Sequence, residues 1–128
     1  MTKLNNQEIV TIKSQHSVKT AAQRIEDILR FKGFKIFLVL DQKAEAEKIG
    51  MDMPATEVMM FGNPKIGTQL MNKYPALALE LPIKLVIQEK DKNKSIIKLN
   101  SPEYMAERHN INDPIFNGLS ELIKNAVA

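Results

Sequence analysis

The strongest constraint in this sequence is a helix-start signal that occurs three times. Each time, a residue that caps helices well stands directly before proline. Proline suits the first position of a helix because the backbone N–H that it lacks would have no partner within the helix. We therefore predict helix starts near residues 64, 102 and 114, with the first helix ending near Lys73 because Pro75 follows. The three pairs are Asn63-Pro64, Ser101-Pro102 and Asp113-Pro114.

Two further helices are predicted from capping and spacing. Ser17 precedes apolar residues spaced three and four apart over three turns, and Gly33 stands where a helix would end. A short helix is expected from Asp41, a plausible cap, to Gly50. The last helix is predicted to run from residue 114 to the C-terminus because its apolar residues form one stripe. These are Ile115, Phe116, Leu119, Leu122, Ile123, Ala126 and Val127.

Five segments have the alternation or β-branched content of strands. Residues 34–40 are nearly all apolar, so we predict a central strand that is buried on both faces. Asp91 to Lys94 lies between the last two strands as a hairpin turn. The predicted strands are residues 8–13, 34–40, 56–61, 83–89 and 95–99.

Helices and strands follow one another without the regular alternation of a doubly wound fold. The pattern predicts an α+β fold with a mixed or antiparallel sheet of about five strands. No linker, repeat or low-complexity segment divides the chain, so residues 1–128 are interpreted as a single compact domain.

Composition excludes several classes of protein. The chain has no cysteine, which removes disulfides, cysteine-ligated zinc, iron–sulfur clusters and thiol catalysis. Residues 1–8 are polar and no apolar run could span a bilayer, so we expect a cytoplasmic protein with no signal peptide and no membrane partner. The net charge is only +3, and its lysines are not interleaved with aromatic residues, so a nucleic-acid partner is not expected.

The turn at Phe61-Gly62-Asn63-Pro64 is the strongest local signal for a site. Backbone N–H groups in the first turn of a helix attract anions, and Lys65 and Thr68 would add a charge and a hydroxyl. The functional interpretation is a small anion or phosphate site, without the Gly-Lys-Ser/Thr ending of a P-loop. The structural alternative is a well-capped helix with a tight entry.

Histidine chemistry is the second hypothesis. His109 would act as a general base with Asp41 or Glu103 as its carboxylate partner, provided that these residues meet in a cleft. The alternative is that His109 interacts with the C-terminal dipole of its helix. Two distant histidines do not give the spacing of a metal site, so we expect neither a metal nor another cofactor.

A long stretch of the chain resembles the bacterial "domain of unknown function 302" family. The central block runs from Pro54 to Met71 and contains Phe-Gly-Asn-Pro followed by Gly67-Thr68. The resemblance covers nearly the whole chain. Its other blocks are Ser17 with its helix, Gly33-Phe34, Leu81-Pro82, Asn100 to Tyr104, and Arg108-His109.

The resemblance implies a sheet with helices mainly on one face, similar to the arrangement in the TATA-binding protein, and a homodimer. It implies no established activity. Members often carry Asp-His after the second strand, whereas this chain has Asp41-Gln42, which weakens an acid–base or metal role at that point.

Three hypotheses follow for function. The first is a homodimer that binds a small polar or anionic molecule near the turn and has no enzymatic activity. The second is a hydrolase- or lyase-type enzyme with a His/carboxylate pair, and the third is a dimerisation module without a ligand. Ligand contacts are expected from Gly62, Asn63, Lys65, Gly67, Thr68, Tyr104 and Arg108, with Asp41 and His109 as further walls.

Overall fold

Five strands form one antiparallel sheet in the computed structural model, which describes residues 8–128. The sheet order is β1-β5-β4-β3-β2, so the first and second strands of the chain lie at opposite edges. This arrangement confirms the predicted α+β class with five strands. The strands are β1 Ile9–Ser14, β2 Lys35–Asp41, β3 Thr56–Gly62, β4 Ile83–Glu89 and β5 Ser95–Asn100.

Within residues 8–128, five α-helices and two short 3-10 helices lie between the strands or follow the last one. All three cap–proline pairs begin a helical segment, and in each the side chain before proline accepts a backbone N–H bond. The predicted starts at residues 64, 102 and 114 are confirmed. The α-helices are α1 Val18–Phe31, α2 Gln42–Lys48, α3 Pro64–Lys73, α4 Pro102–Arg108 and α5 Leu119–Ala126, and the 3-10 helices are Pro75–Leu79 and Pro114–Phe116.

The predicted last helix is wrong in one respect, because it is divided in two. The segment that starts at Pro114 ends after one 3-10 turn, where Asn117 takes an extended conformation with ψ 145°. Gly118 follows in the left-handed region with φ 86°, and α5 begins after it. The apolar stripe is continuous in the sequence, but a left-handed glycine interrupts the helix that the stripe predicts.

The main core lies between one face of the sheet and two helices, α1 and α5. Alternate strand residues such as Met59, Leu85 and Ile97 are buried there against Ile25 of α1 and Ile123 of α5. The two helices also touch each other. A buried hydrogen bond of 3.0 Å from Ser14 Oγ to the carbonyl of Val127 joins the end of β1 to the end of α5.

The prediction that residues 34–40 form a central strand buried on both faces is wrong. β2 pairs only with β3 and forms an edge of the sheet. Phe37, Leu38 and Val39 are 46%, 46% and 40% exposed. A register shift between Ile36 and Leu38 bulges the strand at Phe37, which is a common way to protect an exposed edge from pairing with another chain.

The opposite side of the sheet keeps a partly exposed apolar centre, which we name the open face. Its side chains alternate with those of the main core along each strand. The register pairs Val58 with Val86, and Leu38 with Met60. The open face consists of Leu38, Leu40, Val58, Met60, Val86 and Ile96.

A second, smaller core lies between α3, α4 and the two 3-10 helices. Leu77, Ala106, Ile111 and Phe116 are buried in it. Leu70 of α3, Tyr74 and Leu81 pack against these residues. The helices that begin at the cap–proline pairs therefore form a unit distinct from the main core.

Candidate functional site

A cavity of about 450 Å³ lies where the two cores meet, and we name it the junction cavity. Its wall takes Phe34, Ile83 and Leu119 from the main core and its immediate neighbours. Leu70, Leu81 and Phe116 come from the second core and its neighbours. The cavity is therefore lined by side chains from both cores.

The turn predicted from the sequence forms one wall of the junction cavity. Gly62 and Asn63 end β3 there, and Gly67 and Thr68 contribute from the second turn of α3. Lys65, between them on the same helix, is exposed and is not a lining residue. Four of the seven predicted ligand contacts are thus brought together around one cavity.

Two backbone donors near the start of α3 are already engaged by Asn63. Its Oδ1 accepts from the N–H of Ile66 at 3.1 Å, and its carbonyl accepts from the N–H of Gly67 at 2.7 Å. Pro64 has no N–H to offer. An anion that approaches the Ile66 or Gly67 N–H would have to compete with these bonds, which weakens the argument from the sequence for an anion site.

The lining of the junction cavity is mostly apolar. Lys32, Asn63 and Thr68 are its polar side chains among the described residues, and the rest are aliphatic, aromatic, proline or glycine residues. A mostly apolar wall with a few polar groups that fix orientation is typical of small-molecule sites. The geometry is suited to an apolar molecule more than to a small inorganic anion.

The remaining predicted wall residues lie away from the junction cavity. Tyr104 donates from its hydroxyl to Glu8 Oε1 at 2.9 Å, and this hydrogen bond raises the pKa of Tyr104. Asp41 caps α2, where its Oδ1 accepts from the N–H of Ala44 at 2.9 Å. These two residues, with Arg108 and His109, are not lining residues of the cavity.

His109 has a carboxylate partner that the sequence did not indicate. Its Nε2 lies 2.7 Å from Glu80 Oε2, and the two side chains are 11% and 10% exposed. Arg108 Nη1 lies 3.2 Å from the same oxygen. Glu103, one of the two predicted partners, instead accepts a hydrogen bond from Ser101 Oγ at 3.2 Å.

A smaller cavity of about 180 Å³ lies beside Glu80. Lys84 and Asn100 also line it, together with Met60 of the open face. Residues 81–83 line both cavities, and we name this segment the shared wall. The turn before β4 therefore has the junction cavity on one side and the surroundings of the Glu80 carboxylate on the other.

Within residues 8–128, no three histidine or carboxylate side chains are grouped closely enough to hold a metal ion. None of the helices in this range combines the length and the apolar character needed to cross a bilayer.

Comparison with known proteins adds relatives of two kinds. The chain is 34% identical over 103 residues to "Fluoride-specific ion channel FluC 1" of Brucella suis biovar 1 (strain 1330). The aligned segment covers 80% of this chain and 41% of that protein. The protein of the same name from Brucella abortus biovar 1 (strain 9-941) matches at 34% over 103 residues, covering 80% of this chain and 38% of that protein. The chain thus spans about two fifths of the length of the curated relatives that it matches.

A solved structure and a family model agree with the architecture. The crystal structure of an uncharacterized conserved protein DUF302 from Bacillus stearothermophilus superposes with a TM-score of 0.73 at 18% identity, covering 95% of this chain and 94% of that chain. The model of the family described as "Domain of unknown function DUF302" matches residues 10–127. The family resemblance that was stated from the sequence is therefore confirmed, and the chain belongs to the DUF302 family.

Proposed function

We propose that this chain is a binding domain whose junction cavity holds a small, predominantly apolar molecule. The observation that carries the proposal is the cavity itself, about 450 Å³ in volume and lined from both cores. Sites for small molecules usually have volumes of roughly 300–1,000 Å³. The ligand lies at the turn indicated by the sequence, but the apolar wall favours an apolar body where the sequence suggested a polar or anionic one.

Gly67 supports the proposal because backbone geometry does not require a glycine there. It lies inside α3, where glycine lowers stability by roughly 0.5–1 kcal/mol relative to alanine. A Cβ atom at this position would meet Leu81 Cδ1 at 3.8 Å and Met71 Cε at 4.0 Å, which are ordinary contacts. A residue that keeps the cavity wide accounts for a glycine at this position.

A thermal-shift screen with small apolar compounds tests the proposal. A compound at a hundred times its dissociation constant stabilises the folded protein by about 2.7 kcal/mol, which raises the melting temperature by several degrees. We expect the Gly67→Leu variant to lose this shift because the leucine side chain fills the cavity.

Gln69→Leu is the matched control, because Gln69 is exposed on the same helix and does not line the cavity. This variant should respond to the compound as the wild type does. A chemically diverse set without a stabilising compound, or an undiminished shift in the Gly67→Leu variant, would contradict the proposal.

We also propose that a second copy of the chain covers the open face. The family resemblance implies homodimers, and the centre of this face carries the partly exposed Val58, Met60 and Val86. Light scattering at micromolar concentration should give twice the chain mass. Val86→Lys should give the monomer mass. Gln23→Lys, at an exposed position of α1 on the opposite side of the sheet, should leave the dimer intact. A monomeric wild type would contradict this proposal.

A hydrolase- or lyase-type enzyme is the second candidate function, favoured by the 2.7 Å contact between His109 and Glu80. A histidine next to a carboxylate is a common general base, and its loss costs about 10²–10⁴-fold in rate. Hydrolysis of p-nitrophenyl esters by the wild type and by His109→Asn measures this role. Equal rates for the two proteins would end this candidate.

The curated relatives suggest a cellular context that can be tested separately. Because segments similar to this chain belong to proteins named as fluoride-specific ion channels, we propose a functional link to fluoride transport. Deleting the gene should lower the fluoride concentration that cells tolerate, and expression of the wild-type chain should restore tolerance. Unchanged tolerance would remove this link without affecting the binding proposal.

A further inference from the structure

The charged residue of the junction cavity lies at a defined end of it. The antiparallel register places Lys35 opposite Gly62, so the residues that lead into β2 lie beside those that follow β3. Lys32, three positions before Lys35, therefore lines the same end of the cavity as Asn63. Both lie at the β2 edge of the sheet.

The cavity extends from this edge across the strand order. Its wall includes Phe37 of β2, Gly62 of β3, Ile83 of β4 and Pro102, which comes shortly after β5. Neighbouring strands are roughly 4.8 Å apart, so the lining residues of β2, β3 and β4 span about 10 Å across the sheet. The lining residues that follow β5, such as Pro102 and Phe116, are apolar.

The charge at the β2 end is positive and is not neutralised within the wall. No aspartate or glutamate lines the cavity among the described residues. Across residues 8–128, no carboxylate forms an ion pair with Lys32, whose Nζ lies 6.0 Å from the centre of the exposed Phe31 ring. A long lysine side chain can lie along an apolar wall while its ammonium group meets a charged ligand group near solvent.

We infer that the ligand is an elongated amphipathic anion, with its apolar chain along the cavity and its anionic group at Lys32. This inference rests on the proposed function and adds the chemical class and orientation of the ligand. A straight-chain carboxylate such as dodecanoate has one charged end and an apolar chain for the rest of the cavity, whose volume of about 450 Å³ lies within the usual range of small-molecule sites, roughly 300–1,000 Å³.

Titration calorimetry with three compounds of one chain length tests the inference: dodecanoate, dodecanol and dodecylamine, each below the concentration at which it aggregates. We expect dodecanoate to bind the wild type about 3–10-fold more tightly than dodecanol, as suits one partly exposed charge-assisted contact. Dodecylamine should bind more weakly than dodecanol because its charge has the same sign as that of Lys32.

The Lys32→Gln variant should bind dodecanoate and dodecanol with equal affinity. Its affinity for dodecanol should be the same as that of the wild type. Lys73→Gln is the matched control, because Lys73 is exposed at the end of α3 and its Nζ lies 5.4 Å from the centre of the Tyr74 ring, and neither residue lines the cavity. This control should keep the preference for the carboxylate.

The outcomes separate the two proposals. Equal binding of dodecanoate and dodecanol to the wild type, or a preference that survives Lys32→Gln, overturns the charged-ligand inference and leaves the binding cavity supported. Tightest binding of dodecylamine also overturns the inference. Binding of none of the three compounds, together with a thermal-shift screen that finds no ligand, overturns the proposed function as well.

Discussion

The main core and the region around the junction cavity are built from similar side chains but packed to different degrees. Under α1 and α5, residues such as Ile25, Leu85 and Ile123 are fully buried and fill the space against the sheet. At the junction, the second core stops short of the first and leaves about 450 Å³. Three of the six prolines of the chain line that volume: Pro64, Pro82 and Pro102.

This difference shows how a small domain can keep a cavity without losing its fold. Proline restricts the backbone, so walls that contain it are less able to move inward than flexible side chains are. The main core supplies burial, and the proline-containing segments give the junction its shape. Four predictions test this division, in order of decreasing effect.

Truncation in the main core should have the largest effect. Ile25→Ala removes a fully buried side chain from α1, and we expect a loss of about 2–5 kcal/mol in the free energy of unfolding, measured by urea denaturation. Leu79→Ala, at a side chain that is 80% exposed, should change this free energy by no more than about 0.5 kcal/mol. Similar losses in the two variants would contradict the role of the main core as the source of stability.

Removal of the Glu80 carboxylate should have the next largest effect. Glu80→Ala leaves the mostly buried His109 without its partner, and we expect a loss of about 1–3 kcal/mol in urea denaturation. A double-mutant cycle with His109→Ala should show coupling between the two residues. Glu45→Ala breaks the exposed ion pair with Lys48 and should cost less than about 1 kcal/mol. Equal losses in Glu80→Ala and Glu45→Ala would contradict a structural role for the Glu80 contact.

Two glycine substitutions should have small effects of opposite sign. Gly67→Ala should raise the melting temperature, with a gain of about 0.5–1 kcal/mol, because alanine favours helix and meets only ordinary contacts. Gly118→Ala should lower the melting temperature, with a loss of about 1–2 kcal/mol in the free energy of unfolding, because Gly118 has φ 86°, where an alanine is strained. Destabilisation by Gly67→Ala would show that the glycine serves packing and not cavity volume.

The smallest effect should come from Glu57, on β3. Burial is the main reason that the pKa of Glu57 lies above its usual value of 4.5, and the nearby Asp41 carboxylate adds to the shift. The folded state therefore favours the protonated carboxyl, so this contribution to stability is present below pH 4.5 and is lost as the pH rises through the higher folded-state pKa.

Glu57→Gln should remove that dependence and make the protein slightly more stable at neutral pH. Urea denaturation at several pH values above and below 4.5 measures the difference. A wild type and a variant with parallel stability profiles would contradict the proposed titration.

Local signals in the sequence predicted the fold well, whereas contacts between distant residues did not. A cap such as Ser17 or Asn63 bonds a backbone N–H only three residues ahead, so sequence alone identifies it. Whether β2 lies at the centre or at the edge of the sheet depends on whether a second strand pairs with it on the side away from β3. The composition of β2 does not carry this information. The apolar run at residues 34–40 therefore predicted burial that the topology does not provide.

The candidate site divides in the same way. Gly62, Asn63, Gly67 and Thr68 are close in sequence and form one wall, so a motif could indicate them. Glu80 lies 29 residues from His109, in a segment without a recognisable motif, so no sequence pattern pairs the two residues. Lys32 is the C-cap residue of α1, a role that the local sequence explains fully. Nothing in the local sequence therefore indicates that Lys32 also lines the cavity.

The shared wall gives the two cavities a thermodynamic connection. Residues 81–83 line the junction cavity on one side and the surroundings of Glu80 on the other. A molecule that displaces this segment changes the space on both sides. Linkage requires the resulting free-energy coupling to be equal in both directions. If a molecule in the junction cavity changes the affinity of the smaller cavity for a second molecule, the second molecule must change the affinity of the junction cavity by the same factor.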